Sequence, residues 1–261
     1  MNDGSDLLEN IPKTVLVTGA AKRLGRAIAL DLASHGFAVV VHTHKSMPEA
    51  AQTVNEIRQK GGKASLIEAD LTQLAETESL IEKANEMCGP IGVLVNNASL
   101  FLEDDAQQFN NANFEAHFAV HLRAPSVLTS ALAHKLPADQ SGLVVNIIDQ
   151  RVLALTPRFY TYTLSKAALW AATQTLAQTF APRIRVNAIG PGPSFKSERQ
   201  TDADFQAQIS GTILERGPAP EEFGRTVRYL YDMPSVTGQM IALDGGQHLG
   251  WETPDIAEIK E

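Results

Sequence analysis

The sequence predicts an α/β fold, one domain in which helices cover both faces of a parallel sheet. Two observations carry this expectation. Short β-branched runs alternate with longer stretches of helical period along most of the 261 residues, and strands separated by helices run parallel and are covered on both sides. No repeat, charge block or Pro/Ser-rich linker breaks the alternation before Gly190, so a second domain is not expected. An apolar content of 44% is enough for a buried core.

In chain order, Thr14-Val15-Leu16-Val17 reads as the first strand and residues 24–34 as its helix. Strands at 38–41 and 64–67 follow, with helices at 49–60 and 74–87. A fourth strand at 93–95 leads into a long helical stretch ending at His134, and then come a strand at 144–148, a helix at 160–181 and a strand at 184–189. Residues 191–220 differ in texture: polar, rich in Gly and Pro, and just past a strand end, where such folds place loops that cover a ligand. The last strand spans 239–243 and closes on Asp244-Gly245-Gly246. The domain therefore runs over 13–250, with tails at 1–12 and 251–261.

Composition excludes several functions. Lys and Arg total 22 against 30 Asp and Glu, a net charge of −8, which argues against general nucleic-acid binding. No apolar run approaches the roughly 20 residues that cross a bilayer, so no membrane span is expected. Residues 1–6 are acidic and polar where a secretory signal would be basic and then apolar. A lone cysteine, Cys88, makes no internal disulfide or Cys-rich metal site, so the reading is a cytoplasmic protein without a bound metal.

A turn of Thr18, Gly19, Ala20, Ala21, Lys22, Arg23, Leu24 and Gly25 joins the first strand directly to its helix. Its glycines allow tight geometry and close approach, and the new helix offers free N–H groups and a positive dipole end to an anion. Gly19, Lys22, Arg23, Leu24 and Gly25 are thus candidate contacts to a dinucleotide, an ordinary strand-to-helix turn being the alternative. The second strand should end beside the adenosine ribose, and it ends in His42-Thr43-His44-Lys45-Ser46 with no carboxylate before Glu49. Acidic groups there favour a free 2′-hydroxyl and basic groups a 2′-phosphate, so His42, His44, Lys45 and Ser46 point to NADPH rather than NADH. A solvated basic turn would read the same way. Asp70 and Leu71 follow the third strand, where the carboxylate either accepts from the adenine amino group or caps the next helix.

Tyr162 and Lys166 stand four residues apart in a helical stretch, so both side chains leave one face and can reach one small site. A phenol with its usual pKa near 10 exchanges protons poorly at neutral pH, and a fixed ammonium with an oxidised nicotinamide would lower that value. Lys166 can also hold the nicotinamide ribose. As an isolated pair the two would read as surface residues.

Four motifs in order resemble those of the short-chain dehydrogenase/reductase family over nearly the whole chain: Thr18-Gly19 through Gly25, Asn96-Asn97-Ala98, Tyr162-Thr163-Leu164-Ser165-Lys166, and Pro191-Gly192 after Arg185-Val186-Asn187. The resemblance implies a Rossmann-like, doubly wound sheet of about seven strands. It also implies a homotetramer, Tyr162 as acid/base with Lys166 as its partner, and Asn96 near the adenosine half. Asn97, Ala98, Ser99, Pro191 and Gly192 join the cofactor contacts on the same ground.

Two departures resemble the pteridine reductase branch: Arg23 stands where most members have a third glycine, and Asp149 where most have serine. Asn97-Ala98-Ser99-Leu100-Phe101 and the 42–46 run are similar to that branch too, and the bacterial dihydromonapterin/dihydrofolate reductases are especially similar around His121 and 243–246. Serine can donate to a ketone oxygen, whereas an ionised Asp149 would repel it. An imine suits the carboxylate better. At the N5=C6 bond of a 7,8-dihydropterin, hydride goes to C6 and a proton to N5, which a paired carboxyl and phenol can relay. Like-charge repulsion would help keep one proton on the Asp149–Tyr162 pair near neutral pH.

Phe101 can stack on a flat heterocycle, and the resemblance brings Arg23 and Ser99 to the pterin as well. His121 stands where many members carry asparagine, with a charge that can change near pH 7. The expectation is an NADPH-dependent reductase of dihydromonapterin, dihydrobiopterin or dihydrofolate. The alternatives are a carbonyl reductase of the same family and a non-catalytic NADP(H)-sensing regulator. Residues 194–217, with Lys196, Arg199 and Arg216, would recognise the substrate's tail or form a lid. The extension that includes Trp251 either enters a neighbouring subunit's site or is disordered.

Overall fold

The computed structural model describes residues 10–197 and 200–251. Its strands are β1 (Thr14–Val17), β2 (Ala38–Thr43), β3 (Ala64–Glu68), β4 (Val93–Asn96), β5 (Gly142–Ile147), β6 (Ile184–Pro191) and β7 (Met240–Leu243). They form one seven-stranded sheet in the order β3-β2-β1-β4-β5-β6-β7, every pair parallel. The expected Rossmann-like α/β class is what the chain adopts. The helices are α1 (Arg23–Ser34), α2 (Met47–Gln59), α3 (Leu74–Cys88), α4 (Asn111–Phe118), α5 (Ala124–Lys135), α6 (Tyr160–Phe180), α7 (Asp202–Ser210) and α8 (Pro220–Asp232).

Every residue of β1, β4 and β5 is buried, because helices cover both faces. Successive residues of a strand point to opposite sides, so one strand feeds two cores. Val15 and Val17 of β1 pack in one core with Ile28 and Leu32 of α1 and Phe223 and Val227 of α8. Leu16 between them packs in the other with Leu80 of α3 and Leu128 and Leu132 of α5. Arg183 and Arg185 close helix ends, where carbonyls lack intrahelical partners. Arg183 Nη2 donates to Ala133 O at 2.9 Å and Leu136 O at 2.8 Å after α5, and Arg185 donates to Leu230 O, Tyr231 O and Val236 O around the end of α8.

Two elements differ from the sequence expectation. The helical stretch after β4 starts late: residues 97–110 form a loop, and Asn110 caps α4 by accepting from Asn113 N at 3.1 Å. A π-helical turn, Ala119–Arg123, then joins α4 to α5. Pro125 has no N–H to give to the preceding turn, and the amide of Ala124 reaches five residues back to Ala119 O, which is the π pattern. The polar 191–220 region also contains a helix, α7, held by a capping box between Thr201 and Asp204. Residues 1–9 and 252–261 and Arg199 lie outside the described residues, so the expectations for Arg199 and most of both tails do too. Among the described residues no helix is long and apolar enough to cross a membrane, and no group of three His, Cys, Asp or Glu is placed to hold a metal ion.

β1 and β4 are neighbours in the sheet although β2 and β3 separate them in sequence. The chain winds outward in both directions from this junction, and in such sheets the crevice past the strand ends is the ligand site.

Candidate active site

The glycine turn is locked to the loop after β4. Thr18 Oγ1 accepts from the amides of Asn97 at 2.9 Å and Ala98 at 3.0 Å and donates to Val95 O at 3.3 Å. Asn97 Nδ2 returns bonds to Thr18 O at 2.9 Å and Gly19 O at 3.0 Å. Gly19 has φ +62°, and a Cβ there would lie 2.9 Å from Ala98 Cα, so only glycine fits. A Cβ on Gly25 would run into Gly19 O and Asn97 Nδ2. The turn thus opens onto the amino end of α1, a geometry fitted to the phosphates of a dinucleotide.

Arg23, the first residue of α1, holds φ +50°, a left-handed conformation uncommon for a residue with a side chain. Its guanidinium donates to Phe195 O at 3.2 Å and lies 5.9 Å from the Phe195 ring centre, which draws the segment after β6 over the turn. Lys22 instead pairs with Glu49 at 2.6 Å. Leu24 is half-buried and packs against the core. At the far side of the crevice Pro191 ends β6, and Gly192 N donates to Leu243 O at 2.8 Å.

At the end of β2, His42 turns inward. It is 2% exposed, its Nδ1 accepts from Gly19 N at 3.0 Å, and its Nε2–H donates to Ala69 O at 3.0 Å. Burial pushes its pKa down to about 4 despite the bond to Ala69, with a further push from His44. Both nitrogens are thus engaged and the ring is neutral, so the expected role as a phosphate donor gives way to one of supporting the glycine turn. His44 and Lys45 are exposed beside it, and His44 Nε2 lies 3.6 Å from Asp70 Oδ2. Ser46 donates its amide to Thr43 Oγ1 at 3.3 Å, which leaves its hydroxyl for other partners. Asp70 Oδ1 accepts from Thr72 N at 2.9 Å and Oγ1 at 2.7 Å, a local turn, and Leu71 is buried in the core.

The catalytic candidates meet past the ends of β4 and β5. Tyr162 Oη donates to Asp149 Oδ2 at 2.9 Å, while Asp149 Oδ1 accepts from Arg151 N at 2.9 Å and caps a short 3-10 turn. Both carboxylate oxygens are therefore held. Burial first, then the Asp149 charge and hydrogen bond, push the Tyr162 phenol well above its usual range, against smaller pulls from Arg151 and the Ser99 hydroxyl. This direction is opposite to the lowering expected from the Tyr/Lys spacing. Lys166 Nζ donates to Ile147 O at 2.9 Å and lies 5.7 Å from the Tyr162 ring centre. Burial lowers its pKa to about 8, with Asp149 acting in the opposite sense.

Phe101 sets its edge to the Tyr162 ring at 4.7 Å and stacks on Phe159 at 4.2 Å. Arg151 lies over Phe101, Phe159 and Tyr162, at 5.3, 5.2 and 5.9 Å from their centres. Ser99 is exposed at the mouth of the site, its hydroxyl 3.0 Å from His121 Nε2. Asn96 faces inward, 4% exposed, and donates to Asn146 Oδ1 at 2.8 Å. Thr18 opens the glycine motif without being a candidate contact there, and Arg151, Phe159 and His117 stand outside every motif read from the sequence. Thr18 had a signal, a hydroxyl at the strand end beside the first glycine, whereas Arg151 and Phe159 sit in a 150–159 segment with no periodicity to read.

Residues 13–204 match the short chain dehydrogenase family model. The chain is 30% identical over 238 residues to a 3-oxoacyl-[acyl-carrier-protein] reductase of Synechocystis sp., covering 90% of this chain and 96% of that one. Among solved structures it resembles FolM alternative dihydrofolate reductase 1 from Brucella canis complexed with NADP, at 54% identity and TM-score 0.91, over 97% of this chain and 99% of that one. The Brucella suis protein of the same name, in complex with NADP, is 55% identical at TM-score 0.91, over 95% of this chain and 99% of that one.

Proposed function

The chain belongs to the short-chain dehydrogenase family, and from that premise we propose that it is an NADPH-dependent pteridine reductase. It adds hydride at C6 and a proton at N5 of a 7,8-dihydropterin, giving the tetrahydro form of dihydromonapterin, dihydrobiopterin or dihydrofolate. The observation that carries this reading is the 2.9 Å bond from the Tyr162 phenol to the Asp149 carboxylate. The resemblance to two NADP-bound dihydrofolate reductases supports it.

The locked glycine turn and the end of β2, which carries Lys45 and the Ser46 hydroxyl and has no carboxylate of its own before Glu49, suit NADPH. Gly19, Gly25 and the amino end of α1 would hold its pyrophosphate, Lys45 and Ser46 its 2′-phosphate, and Lys166 the nicotinamide ribose. When bound, NADPH supplies the hydride. Tyr162 keeps its proton at neutral pH and is therefore the donor to N5. Loss of that proton would leave two negative oxygens side by side, and the Arg151 and Lys166 charges stand where they offset this cost. Asp149 then draws the replacement proton towards the pair, which an alcohol at that position could not do. Phe101 and Ser99 would bind the substrate, and Arg23 would reach both it and the phosphates. The family resemblance extends to a homotetramer, which analytical ultracentrifugation measures.

A 3-oxoacyl reductase is the second reading, favoured by the Synechocystis relative. Asp149 counts against it, since a fixed carboxylate faces the place a ketone oxygen would occupy. The test is NADPH consumption by the purified protein with 7,8-dihydromonapterin, 7,8-dihydrobiopterin, 7,8-dihydrofolate and a panel of 3-oxoacyl and sugar ketones. Turnover of a dihydropterin with the ketones inert is the expected result. Turnover of ketones alone would replace this reading with the second.

A further inference from the structure

Two buried histidines have no task in the chemistry above, yet they make matching bonds. His117 on α4 and His121 in the π-helical turn stand one turn apart, both 1% exposed or less. His117 Nε2 accepts from Leu102 N at 3.2 Å, and His121 Nε2 accepts from Leu100 N at 3.1 Å. Across each ring, Nδ1 meets a hydroxyl of α6: Thr161 Oγ1 at 2.8 Å for His117 and Ser165 Oγ at 2.8 Å for His121.

A backbone N–H can only donate, so each Nε2 is unprotonated and each Nδ1 carries the proton. The hydroxyls agree with this direction. Ser165 donates onward to Tyr162 O at 2.7 Å and Thr161 donates onward to the Asp104 carboxylate, so both oxygens are free to accept from the rings. The imidazoles are nearly parallel, 5.5 Å apart, and the Tyr162 ring stands edge-on to both, at 5.9 and 5.4 Å.

The two bonded amides bracket Phe101, and Ser99 immediately precedes the first of them. We propose that His117 and His121 are positioning residues, a two-rung neutral clamp that fixes the loop bearing Ser99 and Phe101 to the helix bearing Tyr162 and so sets the width of the substrate slot. The substrate in that slot rests on the pteridine reading; the clamp itself does not. The clamp is also a different use of the His121 position from a titrating relay. Burial first, then Lys166, hold both rings below the usual histidine range; His117 adds to this for His121, and Asp104 opposes it for His117. The charged or titratable groups facing the pair are Lys166 and Tyr162 on α6, Asp104 on the loop, and Asp149 beyond Tyr162. A proton on either Nε2 would set two donors against each other.

The test begins with the cofactor-free protein. Nitrogen-15 imidazole spectra should show both rings as the neutral Nδ1–H form at pH 7 and above, with any protonation midpoint below the usual 6.5; a midpoint at 6.5 or higher for either ring, or the Nε2–H form, would overturn the clamp. Amide exchange at Leu100 and Leu102 should be slow, with His121→Leu releasing the first and His117→Leu the second. Unchanged protection in both variants would likewise overturn it. In turnover of 7,8-dihydropterin, each Leu variant should raise KM about tenfold or more while the NADPH Kd stays within about twofold. His121→Gln, whose amide oxygen reaches the Nε2 position, should restore Leu100 protection and most of the KM. Variants that fold and bind NADPH but keep wild-type KM contradict the slot-setting role. Absence of dihydropterin turnover in the wild type would instead count against the proposed function, with the spectra and exchange still deciding the clamp.

Discussion

In the proposed reaction Asp149 and Tyr162 handle the proton, and the buried phenol already donates to the Asp149 carboxylate at 2.9 Å. Tyr162→Phe removes the only proton in that bond, and the expected result is a fall in kcat of roughly 10²–10⁴-fold with the NADPH Kd unchanged by fluorescence titration. His42 makes a separate prediction. Its folded pKa of about 4 lies below the usual 6.5, so the folded state takes up its proton later than the unfolded chain as pH falls. Stability is full above pH 6.5 and lost between 6.5 and 4, by up to about 3 kcal/mol, and thermal unfolding of His42→Gln should show a shallower loss over that window. Spacing and motif single out Tyr162 and Lys166, and a departure from the family pattern singles out Asp149; the structure brings the three side chains together. The inward turn of His42 is not legible, because a strand end in sequence does not say whether its ring points to a ligand or back under Gly19.

At the scale of elements, the glycine turn and the loop after β4 act as one unit. Adding a methyl at Gly25 would strike Gly19 O and Asn97 Nδ2, which themselves hold the turn closed. Gly25→Ala should therefore weaken NADPH binding by tenfold or more in calorimetry, with dihydropterin turnover falling in parallel. The strands and most helices follow from apolar runs and helical period, since burial on both faces writes itself into β1, β4 and β5. The π-helical turn is not written that way. A one-residue widening between α4 and α5 shifts which face each side chain presents without altering composition, and Pro125 alone hints at it. The capping box of Thr201 and Asp204 holds α7 within a region that reads as loop in the sequence.

For the whole molecule, the sheet order places the glycine turn, Asn97 and Asp149 around one crevice, although they are 78 and 52 residues apart in sequence. A net charge of −8 opposes an anionic cofactor at long range, so in the proposed reading recognition would rest on a local cation, Lys45 at the end of β2. Lys45→Ala should weaken NADPH about tenfold and NADH little, a contrast read by titrating both cofactors at constant ionic strength. The class of fold was legible because alternation is a property of the whole chain; the assembly of the site was not, because it depends on how loops 97–110 and 150–159 fold over that crevice.

The role of Asp149 is tested by comparing Asp149→Ser with wild type on 7,8-dihydromonapterin and on a 3-oxoacyl ketone, each with saturating NADPH. With Asp149 in the proton path, dihydropterin turnover should collapse by about 10²-fold or more while cofactor affinity is kept and ketone reduction holds or rises. A variant that reduces the dihydropterin as fast as wild type would contradict that role.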